Sequence, residues 1–524
     1  MKRKPNFLFL ITDQQRADYL GCSGHPVLKT PHIDGIARRG TTFNRCYVSN
    51  PVCMPNRAAL MTGRMSSVNG VHQNGNVLPL HMTTFAQVLQ AGGYDTALLG
   101  KSHFQTMTPV RPPIGENPAG TGRLANAVYI GDDASYQSEM TSEWLTKGER
   151  AVGQSYYGFD YAKLVSNHGD QTGAAHEVWL REQVDNPDSL RGPENQLPHD
   201  YTCPQAIRTA LPEELYSTSY IKGLAKDYLA DPARHETPFF AFVSFPDPHH
   251  PFTPPGKYWD LYRPEDMDVP QHFLSHSNPP PHLSWVREQP PAKGPAFKTS
   301  ATSLNERQLR EAMALTCGMI GMIDDAIGEI LATLKEAGLA EDTILVFTTD
   351  HGDLLGDHGL MLKGGLHFQG LVRVPLLWYD PSQEQSASVD TLCSTIDLAP
   401  TIMSRAGLQP YSGVQGLDLS PLIADEGSTL SREQILIEED MYRPDILSFK
   451  GRVRIRSLLT DRFRFSVFEG VDWGELYDLH DDPFETRNLW SDAAFAETKQ
   501  ELLWRLSQTM LGYMDRSPWP RQEA

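Results

Sequence analysis

The chain has 524 residues, which is too long for one small core, so two domains are expected. Hydrophobic residues make up 40% and charged residues 21% of the sequence, as in ordinary folded proteins. The 65 acidic and 46 basic residues give a formal net charge of −19, which argues against a general binder of nucleic acid or anionic membranes. An anionic substrate would therefore need a local cationic pocket.

The cysteines and the N-terminus bear on the cellular compartment. Cysteines are dispersed without CxxC or zinc-type spacing, at positions 22, 46, 53, 203, 317 and 393. Such a distribution fits a reducing compartment rather than a disulfide framework. The basic start MKRKP precedes an apolar run that is short for a signal peptide, and no run approaches the roughly 18 apolar residues of a membrane span. These features predict a cytoplasmic protein without membrane contact.

Short apolar runs rich in β-forming residues alternate with amphipathic helices over most of the chain. Buried strands are predicted at residues 6–12, 94–100, 238–245, 343–350 and 374–380. Helices are predicted at residues 30–40, 83–93, 305–338 and 397–407. This alternation is typical of an α/β domain built on a largely parallel sheet.

The pattern changes near residue 430, where short strands joined by turns begin, followed by a helix near 492–514. We therefore predict a large α/β domain at 1–430 and a smaller α+β domain at 431–524. The stretches 105–210 and 250–300 are rich in Pro, Gly and polar residues. Long irregular insertions are more often functional than accidental, so these are predicted to form the walls of a substrate cleft.

Three of the predicted strands are each followed by a pair of polar residues, namely Asp13-Gln14, His249-His250 and Asp350-His351. Open α/β sheets bind ligands at the carboxyl ends of their strands. A single pair is unremarkable, since Asp often ends a strand or caps a helix, but three pairs from distant segments predict a common site. The first and third pairs offer oxygen and imidazole donors that suit a hard divalent cation.

The stretch CMPNRAALMTG (53–63) predicts a helix that begins at Cys53, with Pro55 in the first turn, where its missing N–H group has no partner to lose. A buried structural thiol is the commoner role of a cysteine. At the positive end of a helix, however, anions bind and thiolates are stabilised. Arg57, one turn along, can reach the same point, so the arrangement suits chemistry on a phosphate or sulfate group.

The segment CMPNR (53–57) also matches the signature C-x-P-x-R. Further stretches stand in order along nearly the whole chain: NFLFLITDQQ, LLGKSHF, SFPDPHHPF, TTDHGDLLGDHGLMLKGG and ELYDLHDDPFETRNL. Together these motifs resemble the formylglycine-dependent (type I) sulfatases of the alkaline phosphatase superfamily, near the branch of arylsulfatases and phosphonate monoester hydrolases. The resemblance implies a large mixed, mostly parallel sheet flanked by helices, with a smaller C-terminal α+β domain that carries an antiparallel sheet.

The resemblance implies that a formylglycine-generating enzyme oxidises Cys53 to formylglycine (3-oxoalanine). The aldehyde hydrates to a geminal diol, one oxygen of which attacks the sulfur of a sulfate ester and becomes sulfated. Loss of a proton from the other hydroxyl group re-forms the aldehyde and expels inorganic sulfate. The resemblance also implies one divalent metal ion, calcium foremost and manganese as the alternative, held by Asp13, Gln14, the modified Cys53, Asp350 and His351.

Further roles are implied by matching motif positions in the same family. Arg57 would hold the formylglycine and help to neutralise the sulfate, and Lys101 would bind the sulfate or the diol. Lys363 would complete this group of cations around the sulfate. His103, in the G-K-x-H element, is the candidate base for release of the sulfate. His249, which precedes x-Pro as in the family, would bind the sulfate or act as the acid for the leaving oxygen.

His250 is added as a substrate contact, so the predicted substrate-binding residues are Lys101, His249, His250 and Lys363. Gln14 stands where many family members have Asp. This glutamine favours an alternative function, that of the related phosphonate monoester hydrolases or phosphodiesterases, which share this set of metal ligands. Those enzymes carry uncharged residues in the G-K-x-H element, so the retained Lys101 and His103 favour sulfate esters. A binding protein that has lost catalysis is disfavoured, because every polar position of the site is kept.

The sequence thus predicts an arylsulfatase-like enzyme acting on a small-molecule sulfate ester, with choline or sugar sulfates and phosphonate esters as alternatives. Nucleic acid and membrane are excluded as partners. The C-terminal tail DRSPWPRQEA could reach a neighbouring subunit, so a homodimer or homotetramer is predicted.

Overall fold

The computed structural model describes residues 4–109, 133–153, 155–234, 236–270, 272–289, 301–382, 386–424, 428–443 and 451–522. In chain order the strands are β1 (Asn6–Thr12), β2 (Thr41–Phe43), β3 (Cys46–Tyr47), β4 (Asp95–Gly100), β5 (Tyr161–Ser166), β6 (Gly173–Ala174), β7 (Phe239–Ser244), β8 (Thr302–Ser303), β9 (Thr343–Thr349), β10 (Leu360–Met361), β11 (Arg373–Val374), β12 (Leu376–Tyr379), β13 (Ala387–Val389), β14 (Cys393–Ser394), β15 (Gln434–Arg443), β16 (Gly451–Thr460), β17 (Phe463–Phe468) and β18 (Gly474–Asp478).

The α-helices are α1 (Pro31–Ala37), α2 (Cys53–Thr62), α3 (Ser66–Asn69), α4 (Phe85–Ala91), α5 (Thr141–Lys147), α6 (Ala175–Gln183), α7 (Ser217–Ala230), α8 (Pro281–Glu288), α9 (Glu306–Glu336), α10 (Gln369–Val372), α11 (Leu398–Arg405), α12 (Ser420–Ala424) and α13 (Ala496–Gly512). The predicted strands and helices are thus found in the predicted order, with ends that shift by a few residues. The largest shift is at the last helix, which begins at Ala496 rather than near residue 492.

Within the described ranges, the main sheet has nine strands in the order β13-β2-β12-β9-β1-β7-β4-β5-β6. Its inner strands β9, β1, β7, β4 and β5 are parallel, whereas β12 runs antiparallel between β9 and β2. All seven residues of β1 are buried, which explains why NFLFLIT is apolar without alternation: both faces of the sheet are covered. The predicted mixed, mostly parallel sheet is confirmed.

Helices cover the sheet, and the longest of them is α9. Asn305 and Gln308 form a reciprocal capping box at its start, which satisfies N–H groups that the first turn leaves free. Ile320, Ile323 and Ile327 recur at helical spacing and are buried, so one face of the helix packs on the core. Its neighbours are α7 and α1.

Strands β15 to β18 form a separate four-stranded antiparallel sheet. Leu502 and Leu506 of α13 pack on its apolar face, in a cluster that also contains Leu458 and Phe465. Ala59 of α2 belongs to the same cluster, so this sheet lies against the helix that carries Cys53. The smaller C-terminal antiparallel sheet is confirmed, while the boundary at 430/431 stays a prediction.

The stretch 105–210, predicted as an irregular insertion, contributes β5 to the main sheet. Lys163 interrupts the apolar pattern of YAKLVS, and β5 lies near the sheet edge, where partly exposed polar residues are tolerated. Residues 110–132 and 290–300 of the two predicted cleft walls lie outside the described residues. In the part of the chain that is described, no helix combines the length and apolarity needed to cross a bilayer.

Candidate active site

The predicted site residues lie together at the carboxyl edge of the main sheet. Four parallel strands lead into them: β1 into Asp13 and Gln14, β4 into Lys101 and His103, β7 into His249 and His250, and β9 into Asp350 and His351. Since these strands run in one direction, their last residues share an edge. Cys53 and Arg57 are added by α2, and Lys363 by the loop after β10.

Cys53 lies at the N-terminus of α2 and is only 1% exposed. Lys363 Nζ is 2.9 Å and His351 Nε2 is 3.1 Å from its Sγ, and Asp13 Oδ1 is 3.8 Å away. Burial and the Asp13 carboxylate raise the pKa of this thiol, but Lys363 and His351 outweigh them and hold the pKa below its ordinary value. The surroundings therefore favour an anionic atom on residue 53.

Two buried cations neutralise the carboxylates of the site. Arg57 Nε donates to Asp350 Oδ2 at 2.6 Å, and its Nη2 lies 3.5 Å from Asp13 Oδ2. Lys101 Nζ also donates to Asp13 Oδ2. Burial raises the pKa of the Asp13 carboxyl, but Lys101 and Arg57 outweigh it and hold the pKa well below its ordinary value. Arg57 Nη1 donates to Ser244 Oγ at 2.9 Å, which fixes the direction of the guanidinium group.

A group of side chains could hold a divalent cation beside the helix start. Ligand atoms of Asp13, Cys53, Asp350 and His351 all lie within 4.8 Å of one another. His351 Nε2 is 3.8 Å from Asp13 Oδ1 and 3.7 Å from Asp350 Oδ1. His351 Nδ1 lies 2.8 Å from the carbonyl oxygen of Gly352, a contact that places the ring proton on Nδ1 and leaves Nε2 able to bind a metal.

Gln14 adds an amide to this group. Its φ of 64° lies in the left-handed region, which non-glycine residues seldom use, so tertiary contacts must hold it. Gln14 Nε2 is 2.5 Å from Asp353 Oδ2 and 3.0 Å from His250 Nδ1, and Gln14 Oε1 is buried with no hydrogen-bond partner among the described residues. An unpaired buried amide oxygen beside carboxylates and an imidazole fits a cation that prefers oxygen ligands.

Three histidine rings stack beside the lysines. The ring centroids of His168 and His249 are 3.6 Å apart, and those of His249 and His250 are 4.1 Å apart. His249 Nε2 is 3.0 Å from Lys363 Nζ, and His168 Nε2 is 2.5 Å from Lys101 Nζ. Burial, with smaller contributions from neighbouring cationic groups, holds the pKa of all three histidines well below the ordinary value. The rings are therefore neutral, and each carries one N–H group that can donate a hydrogen bond to an anion.

His168 was missed by the sequence reasoning. It follows β5, the fifth of the parallel strands, so the rule that found the other three pairs would have found it. The prediction failed because β5 was hidden inside the supposed insertion. His168 keeps 19% of its side chain exposed, whereas Lys101 and Asp13 beside it expose none, so His168 lies between the site and solvent.

His103 lies near these residues with a left-handed φ of 58°. Glu139 accepts the backbone N–H of His103 at 3.0 Å and that of Phe104 at 2.6 Å, which holds the backbone in this conformation. His103 Nδ1 is buried and has no hydrogen-bond partner within the described ranges. Burial and the charge of Lys101 hold the pKa of His103 well below its ordinary value. The imidazole is therefore a neutral proton acceptor.

Known proteins that are similar to this chain point to one family. A family profile described as Sulfatase matches residues 5–408, and one described as N-sulphoglucosamine sulphohydrolase, C-terminal, matches residues 356–511. The uncharacterized sulfatase YidJ of Escherichia coli K12 is 28% identical over 521 residues, which cover 98% of this chain and 88% of the relative. An arylsulfatase of Clostridium perfringens is 27% identical over 504 residues, which cover 94% of this chain and 92% of the relative.

A solved structure shows the same fold. The phosphonate monoester hydrolase of Agrobacterium radiobacter superposes with a TM-score of 0.76 at 24% identity, over 98% of this chain and 97% of that one. The Sulfatase profile covers well over half of the chain, including every predicted site residue. The chain therefore belongs to the sulfatase family, within the alkaline phosphatase superfamily, and is a sulfuric ester hydrolase.

Proposed function

We propose that the protein hydrolyses aryl sulfate esters with a formylglycine derived from Cys53 and one divalent metal ion, and that it releases inorganic sulfate. The observation that carries the proposal is the surroundings of Cys53: a buried helix start with Lys363 Nζ at 2.9 Å and His351 Nε2 at 3.1 Å. A structural thiol would not need such neighbours. The arylsulfatase among the relatives supports the aryl leaving group.

Asp13, Gln14, Asp350 and His351 would hold the ion together with residue 53, with calcium foremost and manganese as the alternative. Oxygen-rich ligands suit both ions. The bound ion would favour the deprotonated form of a hydroxyl group on residue 53 and draw charge from the sulfate oxygens. Gln14 in place of a second aspartate makes the ligand set less negative.

The cationic side chains would bind the transferring group. Lys363 Nζ is within 3.0 Å of both Cys53 Sγ and His249 Nε2, so it lies between the nucleophile and the candidate acid. Arg57 and Lys101 would balance the remaining charge of the sulfate. Such fixed charges, placed before the reaction begins, supply much of the rate enhancement in enzymes of this kind.

Two neutral histidines would move protons. His249 would bind the sulfate or hold the proton for the leaving oxygen, and His103 would accept the proton whose loss releases the sulfate. Burial and the charge of Lys101 hold the pKa of His103 well below its ordinary value, which keeps the imidazole ready to accept a proton at neutral pH. His250 would contact the substrate through the ring that stacks on His249.

A second candidate is hydrolysis of phosphonate monoesters or phosphodiesters at the same site. Gln14 favours it, because those enzymes resemble this chain in the metal set formed by Asp13, Gln14, Asp350 and His351. Lys101 and His103 favour sulfate. Choline sulfate or a sulfated sugar would present the same sulfate group and remains a further alternative.

A substrate panel tests the proposal. The purified, metal-loaded protein would be assayed with an aryl sulfate, choline sulfate, a sulfated monosaccharide and a phenyl phosphonate monoester, beside Cys53→Ala as the control. We expect the aryl sulfate to be the best substrate and Cys53→Ala to be inactive. Turnover confined to phosphonates or diesters, or an active Cys53→Ala protein, would overturn the proposal.

Maturation is tested independently of turnover. Intact mass should show one sulfur and two hydrogens replaced by one oxygen at residue 53 when a formylglycine-generating enzyme is co-expressed. Co-expression without the change would contradict the proposed modification. The cytoplasmic location and the homodimer or homotetramer stay predictions.

A further inference from the structure

Lys363 is carried by a loop with left-handed backbone. The φ angles are 71° at Leu362, 100° at Gly364 and 74° at Gly365. A leucine seldom adopts this conformation, so contacts outside the loop must hold it. Because the ammonium group of Lys363 is 2.9 Å from Cys53 Sγ, a shift of the loop backbone would move a charge that touches the nucleophile.

Two buried carboxylates bind the backbone on either side of Lys363. Asp353 Oδ1 accepts the N–H of Leu362 at 2.7 Å. Glu439 accepts the N–H of Gly365 with both of its oxygens, at 3.0 and 3.1 Å. Asp353 belongs to the loop after β9, whereas Glu439 lies on β15, so one of the two anchors comes from the C-terminal sheet.

Glu439 is itself rigidly held. It is fully buried, and its Oε2 lies 3.1 Å from His367 Nε2. His367 Nδ1 in turn lies 2.7 Å from Ser457 Oγ on β16. The carboxylate is therefore fixed by hydrogen bonds as well as by its place in the strand.

The same strand also contacts the segments on either side of α2. The N–H of Glu438 donates to the carbonyl oxygen of Ser49 at 2.8 Å, just before the helix. The Glu438 carboxylate accepts the N–H of Ser67 at 2.9 Å, at the start of α3. Strand β15 thus bridges the part of the chain that carries Cys53 and the loop that carries Lys363.

We propose that Glu439, which lies on the C-terminal sheet, is a positioning residue. It holds the loop so that the ammonium group of Lys363 lies beside residue 53. The inference rests on the proposed function, in which this lysine binds the sulfate. Without the carboxylate, the N–H of Gly365 would be buried without its partner, and the loop would relax to satisfy it. A displacement of about 1 Å in a catalytic group can cost about 100-fold in rate.

A kinetic double-mutant cycle tests the coupling. Glu439→Ala should lower kcat/KM about 10- to 100-fold, and Glu439→Gln, which keeps one acceptor oxygen, should lose less. In the Lys363→Ala background, neither change should cause further loss, because the lysine to be positioned is gone. Equal losses in both backgrounds would show that Glu439 acts only through general stability, and would overturn the inference.

Asp440→Asn is the matched control. Asp440 is the next residue on the same strand, so its side chain points to the opposite face from that of Glu439, and it pairs with Arg456 at 2.6 Å. The control should lose its ion pair yet keep kcat/KM. Should Glu439→Ala fail to fold, Glu439→Gln carries the cycle alone, since it keeps the size of the side chain.

A second measurement needs no turnover. Calorimetric binding of inorganic sulfate to the metal-loaded Cys53→Ala protein should weaken with Glu439→Gln, but not when Lys363→Ala is also present. If this pattern of binding is found but the parent protein hydrolyses no sulfate ester, the positioning role is supported and the proposed function is rejected. Unchanged sulfate affinity in Glu439→Gln would reject the positioning role, whatever the enzyme hydrolyses.

Discussion

Lys363 Nζ lies 2.9 Å from Cys53 Sγ, although the two residues are 310 positions apart in the chain. The contact joins the start of α2 to the loop after β10. Lys363→Met, which keeps the apolar stem and removes the charge, should lower kcat/KM about 100- to 1,000-fold, as loss of one preorganised donor does. Initial rates with an aryl sulfate measure the loss.

Lys222 supplies the control for that substitution. It lies on α7 and forms a partly exposed ion pair with Glu329 of α9. Lys222→Met should leave kcat/KM unchanged, because a partly exposed ion pair contributes little. A Lys363→Met enzyme as fast as the parent would contradict the role given to the lysine.

Gln14 controls the charge of the candidate metal site. Gln14→Asp should tighten calcium binding, because cation affinity rises with the number of charged ligands. It should also destabilise the metal-free protein, because the new carboxylate replaces an amide whose Nε2 is 2.5 Å from Asp353 Oδ2. Thermal melting with and without calcium should show a lower apo midpoint and a larger shift on adding calcium.

Chelation gives the parallel measurement on the parent protein. Treatment with a chelator should abolish activity, and calcium or manganese should restore it. Activity that survives complete removal of divalent ions, or a Gln14→Asp protein with weaker calcium binding, would contradict the ligand role.

The sequence located much of the site because parallel strands end at one edge. Asp13, Asp350 and His249 could be found from the apolar runs that precede them. Lys101 also comes directly after a predicted strand, but nothing in its neighbourhood marks a single lysine as a buried cation. Lys363 lies in a loop and follows no such rule. Only the family resemblance identified these two residues. His168 obeys the rule, but its strand is interrupted by a lysine and was not recognised.

Glu439 is a residue whose role could not be predicted from the local sequence. It follows Gly365 by 74 positions in the chain. The three consecutive polar residues EED in its strand are a pattern typical of an exposed edge strand. Its burial depends on how the second sheet packs on the first, a relationship that no local pattern contains. The order and type of the main elements could be predicted, whereas contacts between the two sheets could not.

Asn56 ties the helix start to the strand end. Asn56 Nδ2 donates to the carbonyl oxygen of Asp350 at 2.5 Å, and its Oδ1 accepts from Thr395 Oγ1 at 2.8 Å and from the N–H of Ser49 at 3.1 Å. Because the residue is fully buried, Asn56→Ala should lower the free energy of unfolding by about 2 to 3 kcal/mol. Denaturant titration measures this loss.

Asn186 supplies the comparison for that substitution, because it is exposed and makes no side-chain cap to the turn that it precedes. Asn186→Ala should change the free energy of unfolding by less than about 0.5 kcal/mol. Equal effects of the two substitutions would refute the view that the Asn56 contacts join the two elements.

His176 gives the protein a predictable sensitivity to acid. It is buried, its Nδ1 lies 2.9 Å from Thr172 Oγ1, and burial lowers its pKa to about 4, with hydrogen bonds opposing this in part. Between about pH 6.5 and pH 4, His176 therefore binds a proton in the unfolded chain but stays neutral in the folded protein. Since the unfolded state binds more protons in this range, the free energy of unfolding falls as the pH drops from about 6.5 towards 4.

His176→Gln removes this titration. Between pH 7 and pH 4.5 the free energy of unfolding of the parent should fall by about 2 kcal/mol relative to that of the variant. Only the parent has a buried imidazole that resists protonation in the folded state. His176→Phe, which also cannot titrate, should show the same dependence on pH despite losing the hydrogen bonds. Denaturant titrations at several pH values measure both, and a difference that stays constant with pH would contradict the buried, neutral state of His176.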